Sequence, residues 1–314
     1  MLGHRRLRIV IGPGGAAPRS GPLPPSQLLA LHDQQLRSPA AFLTTPGTVV
    51  EEIGPVLRVS WPGAGGLVLL RADRAVGEAE LTGLMSQQVA HFSARGEPFE
   101  WKTFAHDQSL DSPLLRLGFR RGPEETVMVG MAAAVPASPL PRGVKLRPAS
   151  SEADFERLSR QQSAAFGKDM TASARASQAA ARANPDAVVV LLAEAEGELV
   201  GSARAELVSG TDFCTLWAGS TAPGWRHRGL YRALVAARAE LGLRRGRHLL
   251  EVEALPTSRP ILERLGFLAV TASTPFSWEP PPGRGEPEVI RARSGAGRRR
   301  GPDHRDARAR TPGR

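Results

Sequence analysis

The segment Leu114-Leu115-Arg116-Leu117-Gly118-Phe119 returns in the other half of the chain as Leu262-Glu263-Arg264-Leu265-Gly266-Phe267, identical at five of six positions. Each copy reads as the close of a short helix, ended by a glycine able to take a left-handed conformation. A helical pattern and then a strand pattern precede both copies: residues 76–94 and 99–104 before the first, 230–244 and 248–253 before the second. Self-similarity of this kind is the mark of a duplicated unit, and 314 residues are enough for two ordinary domains. A common helix stop that arose twice by chance is the alternative.

Ahead of the second copy lies a basic turn, Trp225-Arg226-His227-Arg228-Gly229-Leu230-Tyr231-Arg232-Ala233-Leu234. The apolar run Phe213-Cys214-Thr215-Leu216-Trp217-Ala218 before it is strand-prone and is followed by the breakers Gly219, Pro223 and Gly224. After it, Leu230, Ala233, Leu234, Ala237 and Leu241 recur at helical spacing. The turn therefore opens a helix. A helix N-terminus presents unpaired N–H groups and the positive end of a dipole, which suits phosphate oxygens. Arg226 and Arg228 add charge, and Gly229 lets a ligand approach the backbone. Taken alone, the same turn also reads as a solvated helix cap.

The stretch resembles the coenzyme A signature of the GNAT N-acetyltransferase superfamily, Gln/Arg-x-x-Gly-x-Gly/Ala. Arg226 stands at its first position and Gly229 at its fourth; at the sixth, Tyr231 replaces the usual small residue. At the spacing expected of that superfamily comes the strand His248-Leu249-Leu250-Glu251-Val252-Glu253. A short helix follows in which Ser258 or Thr257 can cap and Pro260 fits the first turn. Its ending resembles the superfamily's Leu-Tyr-x-x-x-Gly-Phe, with Leu262 where the tyrosine often stands. That tyrosine is frequently the acid for the leaving thiolate, so the acid has no candidate at that position.

The resemblance implies an α/β (α+β) fold: a mixed, mostly antiparallel central sheet flanked by helices, duplicated in tandem. It also implies transfer of an acetyl group from acetyl-CoA to an amine by direct attack. The strand ending at Gly219, Ser220 and Thr221 would part from its neighbour and receive the pantetheine arm as an added strand. Arg226, His227, Arg228, Gly229, Leu230, Tyr231 and Arg232 would hold the diphosphate, with Ser258 near the pantetheine. A backbone N–H at the end of the parted strand would face the thioester oxygen. A carboxylate would take the amine's proton, with Glu253 and Glu206 nearest by position. Tyr231, the sole tyrosine, sits where packing or cofactor contact suits it better than acid chemistry.

Punctuation and charge divide the chain. Residues 1–25 and 280–314, rich in Gly, Pro and Arg, read as disordered ends. Residues 26–134 form the first unit, 135–143 a Pro-rich linker, and 144–279 the acetyltransferase domain. In that domain, residues 144–148 read as a strand. Ser151-x-x-Asp154 starts a helix running to Phe166, 171–183 form a second helix, and 187–193 and 199–208 are strands. The resulting order, β-α-α-β-β-β-α-β-α-β, is similar to the superfamily's. The first unit reads Arg71-Ala72-Asp73-Arg74-Ala75-Val76-Gly77-Glu78-Ala79-Glu80 before its helix, with no signature and three carboxylates that would oppose a diphosphate. It therefore reads as a degenerate copy.

The formal charge of +10 invites a nucleic-acid reading. It resides in the ends: residues 1–25 hold four Arg and no acid, and 280–314 hold ten Arg and four acids, so the stretch between carries no net charge. A dedicated nucleic-acid face is not expected there, and the arginine excess matches a GC-rich coding sequence with only three lysines. Cys214, the single cysteine, permits no internal disulfide. No apolar run reaches the length of a membrane span or of a signal peptide, and no ligand spacing suggests a metal. The expectation is a cytoplasmic enzyme with no membrane partner, acting on a small-molecule or peptide amine; a homodimer is compatible with it. A non-catalytic acyl-CoA-binding sensor is the alternative, and an arginine-tailed nucleic-acid-associated protein the third reading.

Overall fold

In a computed structural model of the chain, which describes residues 23–42, 47–61, 63–72 and 76–281, the repeated hexapeptide ends two six-residue helices, α3 (Asp111–Arg116) and α7 (Arg259–Arg264). Both are closed by the same bonds. Gly118 N–H donates to the Leu115 carbonyl and Phe119 N–H to that of Leu114; Gly266 and Phe267 repeat this on Glu263 and Leu262, all at 3.1 Å. The two glycines take φ of 86° and 88°, a region costly for any side chain. Leu114 and Phe119, like Leu262 and Phe267, are buried as a result. The hexapeptide is thus a device that stops a helix and turns a phenylalanine into the core, used once in each half.

From three consecutive strands onward the two halves share an order of elements, apart from a two-residue strand in the first; ahead of them the first half has one long α-helix and the second a strand and two α-helices. The first runs α1 (Pro25–Leu36), β1 (Val49–Ile53), β2 (Val56–Trp61), β3 (Gly65–Leu70), α2 (Glu78–Arg95), β4 (Phe99–Phe104), α3, the two-residue β5 (Arg120–Arg121) and β6 (Glu125–Met131). The second runs β7 (Lys145–Pro148), α4 (Glu152–Phe166), α5 (Thr171–Ala183), β8 (Val188–Ala195), β9 (Glu198–Leu207), β10 (Phe213–Thr221), α6 (Leu230–Arg244), β11 (Leu249–Ala254), α7 and β12 (Leu268–Trp278). Strand pairing is antiparallel except at β3 with β4 and at β10 with β11. Each parallel pair spans one long helix, α2 or α6, so the halves repeat in topology as well as in sequence. The fold is accordingly a mixed, mostly antiparallel sheet flanked by helices. At α4 the Ser151 hydroxyl accepts from Asp154 N–H while the Asp154 carboxylate accepts from Ser151 N–H, the reciprocal cap expected from their spacing.

Both halves belong to one sheet, ordered β1-β2-β3-β4-β12-β6-β11-β10-β9-β8-β7, with β5 beside β12. Each half gives its last strand to the other. β6, from the first half, pairs with β11 from Leu249↔Met131 to Ala254↔Thr126, and β12, from the second, pairs with β4 from Ser273↔Phe104 to Trp278↔Phe99. Residues 135–143, between these regions, hold neither helix nor strand. The described residues up to Pro280 make one unit. The extensions at 1–22 and 282–314 lie outside the described residues, as do Asp73 and the Glu78 side chain; Glu80 is exposed in the first turn of α2.

Separate apolar clusters fill the two helix–sheet interfaces. Met85, Phe92, Phe99, Trp101, Phe119 and Trp278 pack under α2, and Leu216, Val235, Leu250, Leu262 and Phe267 under α6. Close approach is required at Gly66, where a Cβ would lie 2.3 Å from the Phe92 ring and 2.6 Å from the Val59 carbonyl oxygen. Gly66→Ala is expected to destabilise the fold by about 3 kcal/mol through overpacking. An unchanged midpoint in urea denaturation is incompatible with this packing.

Candidate active site

The basic turn between β10 and α6 bends through two left-handed residues, His227 at φ 62° and Gly229 at φ 85°. Gly229 caps α6 without a side-chain bond, and the first bond within the helix is Ala233 N–H to the Gly229 carbonyl at 3.1 Å. The N–H groups of Leu230, Tyr231 and Arg232 therefore open the helix, in the manner of an anion cradle. The surrounding side chains take distinct places. Arg228 stacks 4.8 Å above the Trp225 ring. Arg226 donates to the Ala165 carbonyl at the end of α4, 3.2 Å away. Leu230 is buried with Leu234 under α6. Leu230 can therefore offer a ligand its backbone N–H alone.

Tyr231, at the position where a small residue is usual, packs inward with Leu216 and Val235. A Cβ at Gly219 would lie 3.0 Å from its ring. The ring thus occupies space that the missing side chain of Gly219 leaves in β10, rather than filling the turn. The small residue has moved across the interface.

β10 and β11 pair in parallel only at Phe213↔Leu249, Cys214↔Leu250 and Thr215↔Glu251. Beyond that rung β10 remains paired with β9 as far as Thr221↔Gly201, with an irregularity between Trp217 and Ser220 and Ala218 at φ 48°. The strands therefore part at Thr215 and Glu251. A buried network anchors the irregular stretch to α4. The Ser202 and Ser220 hydroxyls meet at 2.8 Å, both reach Gln161 Oε1 at 3.0 and 2.9 Å, and Gln162 Nε2 donates to Ser202 at 3.2 Å. Ser220 is thereby committed to structure. Thr221 Oγ1 is buried with no partner, as is Gln161 Nε2. Ser258 stands at the N-cap position of α7 but makes no side-chain capping bond, contrary to the expectation from the sequence; its hydroxyl turns back to donate to the Leu255 carbonyl at 3.1 Å. Sequence reading did not anticipate this network, since isolated Gln and Ser residues carry no pattern.

The carboxylates near the parting strands are in three different states. Glu206 pairs with Arg204 at 3.2 Å, and Arg204 also donates to Ser177 and lies 5.4 Å from the Trp217 ring centroid. Glu253 accepts from Lys102 Nζ at 2.8 and 3.0 Å and from the Ser273 hydroxyl at 2.8 Å. Burial opposes its charge, but Lys102 and Ser273 together hold its carboxyl below the usual glutamate range. Both carboxylates singled out from the sequence are thus paired. Glu251 differs: it is 5% exposed and its Oε1 has no partner. Burial, aided by the nearby Glu253 charge and only partly offset by Lys102, pushes it well above the usual range. The sequence reading favours Glu253 and Glu206 and passes over Glu251, although the alternation Glu251-Val252-Glu253 puts the two β11 acids on one face. Cys214 is buried against α6, where desolvation pushes its thiol up to about 12, leaving it unreactive.

Among the described residues, no group of three or more His, Cys, Asp or Glu is placed to hold a metal. None of their helices is long and apolar enough to cross a membrane. Residues 154–267 match the model of the Acetyltransferase (GNAT) family. No curated protein matches the chain by sequence. Among solved structures, the chain is similar to a GCN5-related N-acetyltransferase from Kribbella flavida, with a TM-score of 0.60 and 15% identity over 82% of this chain and 96% of that one. A GCN5-related N-acetyltransferase from Sphaerobacter thermophilus gives 0.56 and 18% identity over 73% and 78% of the two chains. A tandem GNAT protein from the clavulanic acid biosynthesis pathway gives 0.52 and 16% over 76% and 85%. At these identities the likeness is one of fold, and its extent takes in both halves of the chain.

Proposed function

We propose that this chain, whose residues 154–267 match the model of the GNAT acetyltransferase family, moves an acetyl group from acetyl-CoA to an amine by direct attack. The observation that carries the reading is the parting of β10 from β11 after Thr215↔Glu251, beside the open N-terminus of α6. The residues present fit acetyl-CoA. The N–H groups of Leu230, Tyr231 and Arg232, with Arg226, His227, Arg228 and Gly229 around them, suit a diphosphate. Gly219, Ser220 and Thr221 suit the pantetheine amides through their backbone, and the unpartnered Thr221 hydroxyl adds a hydrogen-bonding group. Ser258 stands at the N-terminus of α7, in the same domain.

When bound, acetyl-CoA supplies the thioester carbonyl. The chain's own residues prepare the other reactant. Glu251, at the last paired rung of β11 and with a free carboxyl oxygen, is the group suited to take one proton from the acceptor nitrogen, directly or through water. Its raised pKa brings it toward the operating range of a general base. Trp217, 37% exposed on the same face as Thr215, offers an apolar surface beside it. Leu262 is fully buried, so the thiolate finds no acid at that position. The first half, lacking the signature, does not duplicate the cofactor site.

Incubation of the protein with acetyl-CoA and a panel of amines, with free thiol followed spectrophotometrically, tests the reading. Amine-dependent thiol release together with thermal stabilisation by acetyl-CoA is the expected result. Stabilisation without release assigns an acyl-CoA sensor instead, and absence of both removes the acyl-CoA site.

A further inference from the structure

Where the two halves meet, charged side chains from three elements face the carboxyls of β11. Glu100 and Lys102 come from β4 and Glu125 from β6, and His32 faces Glu253 from α1. Lys102 is the sole cation of Lys or Arg type in this group, and it belongs to the first half of the chain, whereas Glu251 and Glu253 belong to the second. Its ammonium is shared between both oxygens of Glu253, and the Ser273 hydroxyl of β12 takes a further position on Oε2. Glu251, two residues earlier on the same strand face, receives no such bond.

Building on the acyl-transfer reading, we propose that Lys102 is a positioning residue of the acceptor site: by engaging Glu253 it leaves Glu251 as the β11 carboxyl that takes the acceptor's proton. Two neighbouring buried carboxyls do not both ionise readily, and a cation placed against one decides which of them does. Lys102 makes that choice geometrically. Burial weighs against its charge, yet the facing carboxylates, Glu253 foremost, hold the ammonium above its usual range, so it stays charged throughout the physiological window. Glu125, pushed up mainly by burial, adds to the cost of ionising Glu251 and helps hold its proton; Glu100, pushed up by the same cause, faces Lys102 and Glu253. Without Lys102, Glu253 loses the partner that offsets its burial and joins Glu251 in sharing protons. The exchanged strands are what bring β4 within reach, so the half without a cofactor loop still supplies part of the acid–base machinery.

The test uses the full chain labelled with 13Cδ-glutamate, titrated by NMR, with Glu251→Gln and Glu253→Gln assigning the two resonances. In the wild type, Glu253 is expected to titrate below the ordinary glutamate range and Glu251 well above it. In Lys102→Met, the Glu253 titration is expected to rise by at least about one pH unit, the usual influence of an adjacent opposite charge. Lys102→Arg restores the wild-type order. Acyl-transfer assays of Lys102→Met should show the pH profile of kcat/KM displaced, which loss of a merely structural ion pair does not produce. A wild type in which Glu253 titrates above Glu251, or a Lys102→Met variant in which neither titration moves, overturns the assignment. Because the titration needs no turnover, its result is independent of whether acyl transfer itself is found.

Discussion

Glu251→Gln is expected to lower kcat for acyl transfer by about 10²- to 10⁴-fold, the usual share of a positioned general base. Glutamine keeps the shape of the side chain and cannot accept the proton, so acetyl-CoA affinity should be unchanged. In the wild type, kcat/KM should climb as pH rises through the folded-state pKa of Glu251, since only the carboxylate accepts a proton. The variant should lose that limb and keep only the ionisation of the amine itself. Stability moves in the opposite sense. The folded-state pKa of Glu251 lies above that of an unfolded glutamate, so between the two values the native state binds the extra proton. Stability is therefore fully present below the unfolded value and falls as pH rises through the folded one. Glutamine carries no charge to bury, and the variant's stability should depend less steeply on pH. Urea denaturation of both proteins across pH 4 to 9, run beside the kinetics, checks the two signs together. A variant that retains wild-type kcat removes Glu251 from the mechanism.

Gly229→Glu should abolish acetyl-CoA binding, raising Kd at least about 100-fold, which corresponds to roughly 2.8 kcal/mol. Two effects combine. The new carboxylate repels the diphosphate at the positive end of α6, where an anion is otherwise favoured by up to about 2 kcal/mol. Its side chain also stands beside the N–H groups that would receive the phosphate oxygens. Space at the site is open, since a Cβ at Gly229 would meet nothing closer than the Arg232 guanidinium at 3.5 Å. The strain of φ 85° remains and costs about 1–2 kcal/mol for any L side chain. Gly229→Ala carries the same strain without the charge, so it separates the two contributions. Calorimetric titration with acetyl-CoA should give weak or absent binding for the Glu variant and measurable binding for Ala, with circular dichroism unchanged in both. Undiminished affinity in Gly229→Glu places the diphosphate elsewhere.

Local pattern made some of this architecture readable in the chain and left other parts hidden. The spacing of Leu230, Ala233, Leu234 and Leu241 marks α6 to the residue, and Ser151 with Asp154 marks the start of α4, because caps and helical stripes are short-range features. The hexapeptide likewise announced two equivalent helix stops. Strand partnership is different in kind. β6 and β12 are fixed by neighbours more than a hundred residues away in the chain, and nothing within Glu125–Met131 or Leu268–Trp278 names them. The same limit applies to the site. The basic turn is legible since its charges and glycine are contiguous, whereas position along the chain favours Glu253 over Glu251 until Lys102 is seen engaging Glu253. Tyr231 reads as an anomaly in the turn and becomes ordinary only beside Gly219.

The exchange of final strands has a consequence for how such a chain is made. Synthesis proceeds from the N-terminus, and β4 emerges long before β12, the strand that covers its edge. Through the whole interval a nascent chain holds an incomplete sheet, with Phe99, Trp101 and Phe276 unable to form their shared core until the end of the second half arrives. Premature termination anywhere before Leu268 would therefore leave the edge of β4 uncovered, so that the first half is left unfinished as well as the second.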